Sequence, residues 1–140
     1  MSFTSTQKIR FDDVDGAGIV YYPRFFHMCH KAFEDFFDEK GPVGYPKLIS
    51  EWRRGFPTVH TDGNYLAPLR YGDLAQVELT VEHVGNSSLK TRYHVVRVHD
   101  GALAFNGLVT TVCVELESFR PTPIDGDLRA FLLSHMAGRP

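Results

Sequence analysis

Residues 12–26 read Asp-Asp-Val-Asp-Gly-Ala-Gly-Ile-Val-Tyr-Tyr-Pro-Arg-Phe-Phe and set a carboxylate, Asp15, in a glycine-containing turn that runs straight into a helix start at Pro23. A carboxylate can attack a carbonyl carbon or draw a proton from water. The unsatisfied N–H groups at a helix N-terminus favour negative charge on a bound oxygen. The spacing therefore points to a site that attacks and polarises one bound group. Asp-Gly alone is ordinary turn chemistry. What sets this turn apart is the crowding of Asp12, Asp13 and Asp15 just ahead of the helix, where mutual repulsion opposes ionisation and the helix end favours it.

Other chemistries lack their residues. Gly16-Ala17-Gly18 evokes a dinucleotide-binding turn, but the third small position falls on Tyr21, Pro23 follows, and no βαβ alternation comes after. His27, Cys29 and His30 share one helix without ligand spacing or a second cluster, so no metal is expected. With no Gly-x-Ser-x-Gly elbow and no phosphate-binding loop, any hydrolysis should use a carboxylate.

The elements that must hold this turn follow from pattern. Residues 4–11 predict a strand. Pro23, whose fixed φ and missing N–H suit a first helical turn, opens a helix over 23–40 that Gly41-Pro42 ends. Phe25, Phe26, Cys29, Ala32, Phe33, Phe36 and Phe37 form a broad apolar stripe along it. Arg24, His27, Lys31, Glu34, Asp35 and Asp38 lie opposite, with late carboxylates that oppose the macrodipole. A second helical stretch is expected over 46–53 and a strand within 58–69.

Residues 75–83 alternate apolar and polar, as in a sheet with one wet face. Gly85-Asn86 turns this strand into one over 88–99. Asp100-Gly101 predicts a two-residue hairpin into a strand over 102–116 that is apolar on both faces, as a central strand would be. A short helix is expected over 127–136. One long apolar helix followed by an antiparallel meander predicts an α+β domain whose sheet curls around the helix, and 140 residues suit a single domain over 1–140.

Composition narrows the function classes. The chain is 43% hydrophobic and 23% charged with 11 phenylalanines, which is globular. Its 15 basic and 17 acidic side chains give a net charge of −2, too little to draw nucleic acid or an anionic membrane. Two unpaired cysteines, Cys29 and Cys113, with no secretory signal and no bilayer-length apolar run, predict a cytoplasmic protein.

The run from Asp15 to Pro23, the aromatic helix and the meander, with Arg54-Gly55, Asn64-Tyr65 and Tyr71-Gly72-Asp73 beyond them, resemble the hotdog-fold acyl-CoA thioesterases, and most closely the 4-hydroxybenzoyl-CoA thioesterase family. The resemblance spans most of 7–116. It implies a five- or six-stranded antiparallel sheet wrapped around the long helix, and a homodimer with a continuous sheet and active sites at its interface, assembling into a homotetramer. It further implies that Asp15 attacks the thioester carbonyl or activates water while the Tyr22 N–H polarises the carbonyl oxygen. Gly18 would let the backbone approach the thioester. No cofactor is required, because a thiolate leaves readily.

Tyr22-Pro23 looks like the aryl-acyl branch, since relatives acting on short aliphatic acyl groups tend to carry His at the Tyr22 position. His30 stands where the hydroxybenzoyl enzyme uses a carboxylate to meet the substrate phenol, which makes it a substrate-binding candidate, with His60 as a second. The turn over 84–88 lacks the basic side chains that would bind coenzyme A phosphates, leaving Lys90, then Arg92 and Arg120, as substitutes. Two alternatives stay open at this point. One is an acyl group delivered on a carrier protein, and the other is a hotdog module that binds acyl-CoA without cleaving it.

Overall fold

The computed structural model describes residues 2–138. The chain runs β1 (Phe3–Lys8), a 3₁₀ turn (Phe11–Asp13), α1 (Arg24–Lys40), α2 (Tyr45–Ser50), β2 (Arg54–Gly55), β3 (Thr58–Tyr65), β4 (Leu74–Val84), β5 (Ser88–Arg97), β6 (Leu103–Val112), β7 (Val114–Glu115), β8 (Arg120–Pro121) and α3 (Gly126–Ser134). Five strands form an antiparallel sheet in the order β1-β4-β5-β6-β3, and β2, β7 and β8 form a small second sheet. The long helix lies against one face of the larger sheet, as the helical stripe and the meander require.

Pro23 caps α1, and the Gly41 N–H closes its last turn on the Phe37 carbonyl at 3.0 Å. The buried stripe comprises Phe25, Met28, Cys29, Ala32, Phe33, Phe36 and Phe37. It is rotated slightly from the expected one: Met28 is inside and Phe26 is half-buried. The late carboxylates that oppose the helix dipole have donors of their own. The Ser5 hydroxyl donates to Asp35 at 2.6 Å, and the Tyr45 N–H, at the start of α2, donates to Asp38 at 2.7 Å. Local hydrogen bonds thus offset an unfavourable placement.

The sheet departs from expectation in two places. The β5–β6 connection is not a two-residue hairpin. Arg97 N–H donates to Ala102 O at 2.8 Å and Gly101 N–H to Arg97 O at 2.8 Å, leaving four residues in the loop with Gly101 at φ +72°. Asp100 acts there as a clasp: its carboxylate accepts from the Arg97 guanidinium at 2.9 and 2.7 Å and from the Ala102 N–H at 3.1 Å. The strand expected over 102–116 also breaks at Cys113, where the chain leaves the large sheet to pair with β2 and β8. Its outward residues Leu108 and Val112 stay half-exposed, because no second layer covers that face.

Two glycines face each other where β3 meets β6, Gly63 opposite Gly107. A Cβ on Gly63 would lie 2.7 Å from the Phe105 ring, and one on Gly107 would lie 2.5 Å from it. The pair makes a slot for Phe105, which stacks on Phe25 at 5.1 Å and meets Phe26 edge-on at 5.2 Å. This is how the helix start is held against the sheet.

Candidate active site

The segment from Asp13 to Tyr21 is a tight hairpin. Tyr21 N–H donates to Asp13 O at 2.9 Å, Val14 bridges Val20, and Asp15 N–H donates to Ile19 O at 3.0 Å. Gly18 at φ +82° closes the turn, its N–H donating to Asp15 O at 2.9 Å. A Cβ at Gly18 would meet nothing within 4 Å, so within one chain the requirement for glycine is the left-handed backbone rather than crowding. The hairpin is fixed to the sheet end through Val20 N–H to Leu69 O at 2.8 Å and an Ile19–Arg70 bridge.

The three crowded carboxylates separate into two kinds. Asp13 is buried, accepts the Arg10 N–H at 2.8 Å and lies 3.3 Å from Arg24 Nε, an ion pair without hydrogen-bond geometry. Asp12 pairs with Arg24 Nη2 at 3.0 Å. Arg24, which the sequence pattern left unassigned, therefore neutralises both. Asp15 alone has no cation among the described residues: it is exposed at the hairpin tip, and its Oδ1 accepts only the Ala17 N–H, at 2.8 Å. The carboxylate with free acceptor capacity is the one the spacing singled out.

At the base of the hairpin the first N–H engaged by the helix start is that of Arg24, which donates to Tyr21 O at 2.8 Å. Pro23 has no N–H. The Tyr22 N–H donates to no acceptor among the described residues. It is an unsatisfied donor at the positive end of α1, free to meet an oxygen that gains negative charge. The Tyr22 ring is exposed and forms one wall of an open apolar groove with Ile19, Phe25, Tyr65 and Leu66. Tyr65 stands edge-on to Tyr22 at 6.0 Å and to Phe25 at 5.6 Å. Burial first, then the neighbouring Tyr22 and Cys29, raises the Tyr65 phenol above its usual range, so it stays neutral.

A second, small cavity, of about 70 Å³, lies between α1 and strands β3, β5 and β6, with Phe26, Cys29, His30, Phe33, Thr58 and Thr61 among its lining residues. Burial pushes the Cys29 thiol far above its ordinary range, so it lines the cavity as a neutral group. His30 is exposed at the rim of this cavity, with Nε2 2.7 Å from a Glu34 carboxylate oxygen and its ring edge-on to Tyr45 at 6.1 Å. The His30–Glu34 pair was legible as an i,i+4 spacing.

His60 and Lys90 lie elsewhere. On β3, Thr61 lies opposite the cavity-lining Val109, while His60 lies opposite Thr110 and alternates to the outer face, 3.5 Å from Asp62. Lys90 is exposed on the outer face of β5, also opposite Thr110. One chain thus brings together Asp15, Gly18 and Tyr22, and separately His30 with the cavity, but places neither His60 nor Lys90 beside them. Among the described residues no three His, Cys, Asp or Glu side chains are grouped as metal ligands, and no helix is long and apolar enough to cross a membrane.

Comparison with known proteins gives this geometry a context. The chain is 27% identical over 123 residues to a 1,4-dihydroxy-2-naphthoyl-CoA hydrolase of Synechocystis sp., covering 88% of each chain. Its fold superposes on that of a 1,4-dihydroxy-2-naphthoyl-CoA thioesterase from Synechocystis with a TM-score of 0.87, at 24% identity and complete coverage of both chains. It superposes on a gentisyl-coenzyme A thioesterase with a TM-score of 0.83, at 24% identity over 93% of this chain and 99% of the other. The common architecture is the hotdog fold expected from the sequence. The sequence profile of the thioesterase-like superfamily matches residues 9–132, the 3₁₀ turn through α3, and the chain belongs to that superfamily.

Proposed function

We propose that this protein hydrolyses the thioester of an aromatic acyl-CoA to the free acid and coenzyme A, with Asp15 and the Tyr22 N–H as its catalytic groups. The observation that carries the reading is the pairing, on one hairpin, of the only uncompensated carboxylate of the turn with an unsatisfied N–H at a helix start. Relatives that act on naphthoyl- and gentisyl-CoA thioesters supply the aromatic acyl class.

The chemistry asks little of the protein. Attack on the thioester carbonyl moves charge onto its oxygen, where the Tyr22 N–H and the α1 dipole stabilise it. Collapse of that intermediate breaks the C–S bond and expels the coenzyme A thiolate, which is protonated by solvent. The nucleophile is either the Asp15 carboxylate, giving an acyl anhydride that water then hydrolyses, or a water whose proton Asp15 accepts. Gly18 holds the turn that presents Asp15. The groove beside Tyr22 suits the pantetheine arm, and the cavity at His30 suits the acyl group.

Both sites border β3, the edge strand whose eight residues are exposed or half-exposed. Pairing of two β3 edges into a homodimer would bring a second chain's residues to each site, and such dimers pairing into tetramers is the assembly that the resemblance implies. His60 and Lys90, which lie outside the site of their own chain, are candidates to meet substrate across that assembly.

Thiol release from benzoyl-, hydroxybenzoyl-, phenylacetyl-, short-chain and long-chain acyl-CoA, run beside Asp15→Asn, tests the reading. Asn retains an oxygen for the Ala17 N–H, so the turn should persist while turnover of aryl thioesters falls by about 10³-fold or more. Equal rates for variant and wild type would remove Asp15 from the mechanism. Absence of thiol release from every thioester would return the carrier-bound and binding-only alternatives.

A further inference from the structure

We infer that Arg24 and Asp13 form a strut that fixes the Tyr22 N–H against the Asp15 hairpin, which makes Arg24 a positioning residue for both proposed catalytic groups. The inference rests on the thioesterase reading only for what those two groups do.

Tyr22 sits at a joint that its own backbone leaves loose. Its N–H has no acceptor among the described residues, Pro23 has no N–H to donate, and α1 starts without a side-chain cap. The second strand of the hairpin is fastened to the sheet end through Ile19 and Val20. The first strand, which carries Asp15, makes its polar contacts outside the hairpin only at Asp13, among the described residues. Three contacts close a ring around the joint. Tyr21 N–H donates to Asp13 O at 2.9 Å, Arg24 N–H donates to Tyr21 O at 2.8 Å, and Arg24 Nε lies 3.3 Å from Asp13 Oδ1. The ring passes from one hairpin strand to the other, across Tyr22 into α1, and back through the Arg24 side chain.

Burial decides which contact of Arg24 holds the joint. The Asp12 side chain is 79% exposed, so its pair with Arg24 Nη2 is screened and worth little. The Asp13 side chain is 6% exposed, and its two oxygens are divided: Oδ2 accepts the Arg10 N–H at 2.8 Å, and Oδ1 faces Arg24. A buried carboxylate deprived of its cation is strongly disfavoured, so Asp13 holds the guanidinium in one place. Without that charge the ring opens at its one side-chain link, and the joint at Tyr22 is free to turn relative to Asp15. A displacement of about 1 Å between reacting groups can cost on the order of 10²-fold in rate. The contact is a charge pair without hydrogen-bond geometry, so any cation that reaches Asp13 should serve.

Arg24→Met removes the charge and keeps most of the side chain, and Arg24→Lys keeps the charge without the planar fork. With benzoyl-CoA, Arg24→Met should lower kcat per folded protein by roughly 30- to 100-fold and leave KM within about threefold. Arg24→Lys should recover most of that loss. Asp13→Asn combined with Arg24→Met should be no slower than the slower single variant, because both break one link. Amide hydrogen exchange needs no substrate. In Arg24→Met the Tyr21 and Arg24 N–H groups should lose at least about tenfold in protection, while the Val20 N–H, held by Leu69 O, keeps its own. A loss carried by KM alone would mean that Arg24 meets the anionic substrate instead, and would overturn the inference. Unchanged kcat, multiplicative losses in the double variant, or unchanged exchange would overturn it too. If Arg24→Met does not fold, Asp13→Asn breaks the same link and is held to the same kcat and exchange outcomes. A wild type that releases no thiol from any thioester would remove the thioesterase reading, and the exchange measurement would then decide the strut by itself.

Discussion

The two halves of α1 are finished differently. Its C-terminal half is closed by the chain itself: Phe36 and Phe37 are wholly buried, with Phe131 of α3 at 4.5 Å and 5.3 Å and His135 at 4.8 Å from Phe36. The segment after α3 is fastened to β4 through Val81 N–H to His135 O at 3.1 Å and Ala137 N–H to Val81 O at 2.8 Å. The N-terminal half meets aromatic rings that remain open to solvent, Tyr22 at 61% and Tyr65 at 48% exposure. The two sheet edges repeat the contrast. β1 buries Phe3 and Ser5, whereas β3 buries nothing fully. Stability is concentrated at one end of the molecule, while unsatisfied donors, a free carboxylate and uncovered apolar surface collect at the other.

That division can be broken by substitution. Phe36→Ala should remove a fully buried ring and cost about 3–5 kcal/mol, lowering the melting temperature by roughly 10 °C without altering the turnover of the folded fraction. Asp15→Asn should do the reverse, abolishing turnover with little change in melting. If Phe36→Ala changed the selectivity of the folded enzyme, or Asp15→Asn melted it, the two ends would be coupled and the contrast would fail.

The β3 edge allows a second test. Lysines on an edge strand oppose pairing with another chain. Val59→Lys combined with Asn64→Lys changes two exposed side chains and should convert the proposed β3-paired dimer to a 15.9 kDa monomer in light scattering, while circular dichroism stays native. Thiol release should fall at least 10-fold and become dependent on protein concentration, since tenfold is the scale of a single lost polar contact. A fully active monomer would mean that one chain completes the site alone.

The closed end and the open end were not equally legible. Pro23, Gly41 and the aromatic stripe prescribe α1 almost to the residue, because capping and periodicity are local properties. The alternation in β4 is equally local. By contrast Asp100-Gly101 suggests a two-residue hairpin, and the loop is longer because Asp100 uses its carboxylate to clasp Arg97, an interaction that no turn preference contains. The break at Cys113 depends on the remote partners β2 and β8. At the site, the turn and the helix start could be read directly, yet the difference between Asp15 and its neighbours depends on where Arg24 folds back. His60 and Lys90 could be placed on strands but not on a face until the bulge near Val59 and the register with β6 were fixed.

The outer face of the sheet offers the smallest but most discriminating effect. There Arg92 donates to Glu82 at 2.7 Å and to Asn106 at 2.9 Å, and both ion-pair partners are partly exposed. The hydrogen bond from Arg92 is the largest influence holding the Glu82 carboxyl below its usual range. A carboxyl with a depressed native pKa binds fewer protons when folded, so its contribution is present above the unfolded value near 4.5 and is lost as pH falls through the native value. Glu82→Gln should therefore melt slightly below wild type at pH 7, by the roughly 0.2–1 kcal/mol of an exposed pair, with the gap closing in strong acid and in high salt. A much larger gap at pH 7, about 3–5 kcal/mol and indifferent to salt, is what removal of one partner from a buried pair costs. That outcome would mean that this face is covered by a second dimer, and that the contrast between closed and open ends describes one chain but not the assembly.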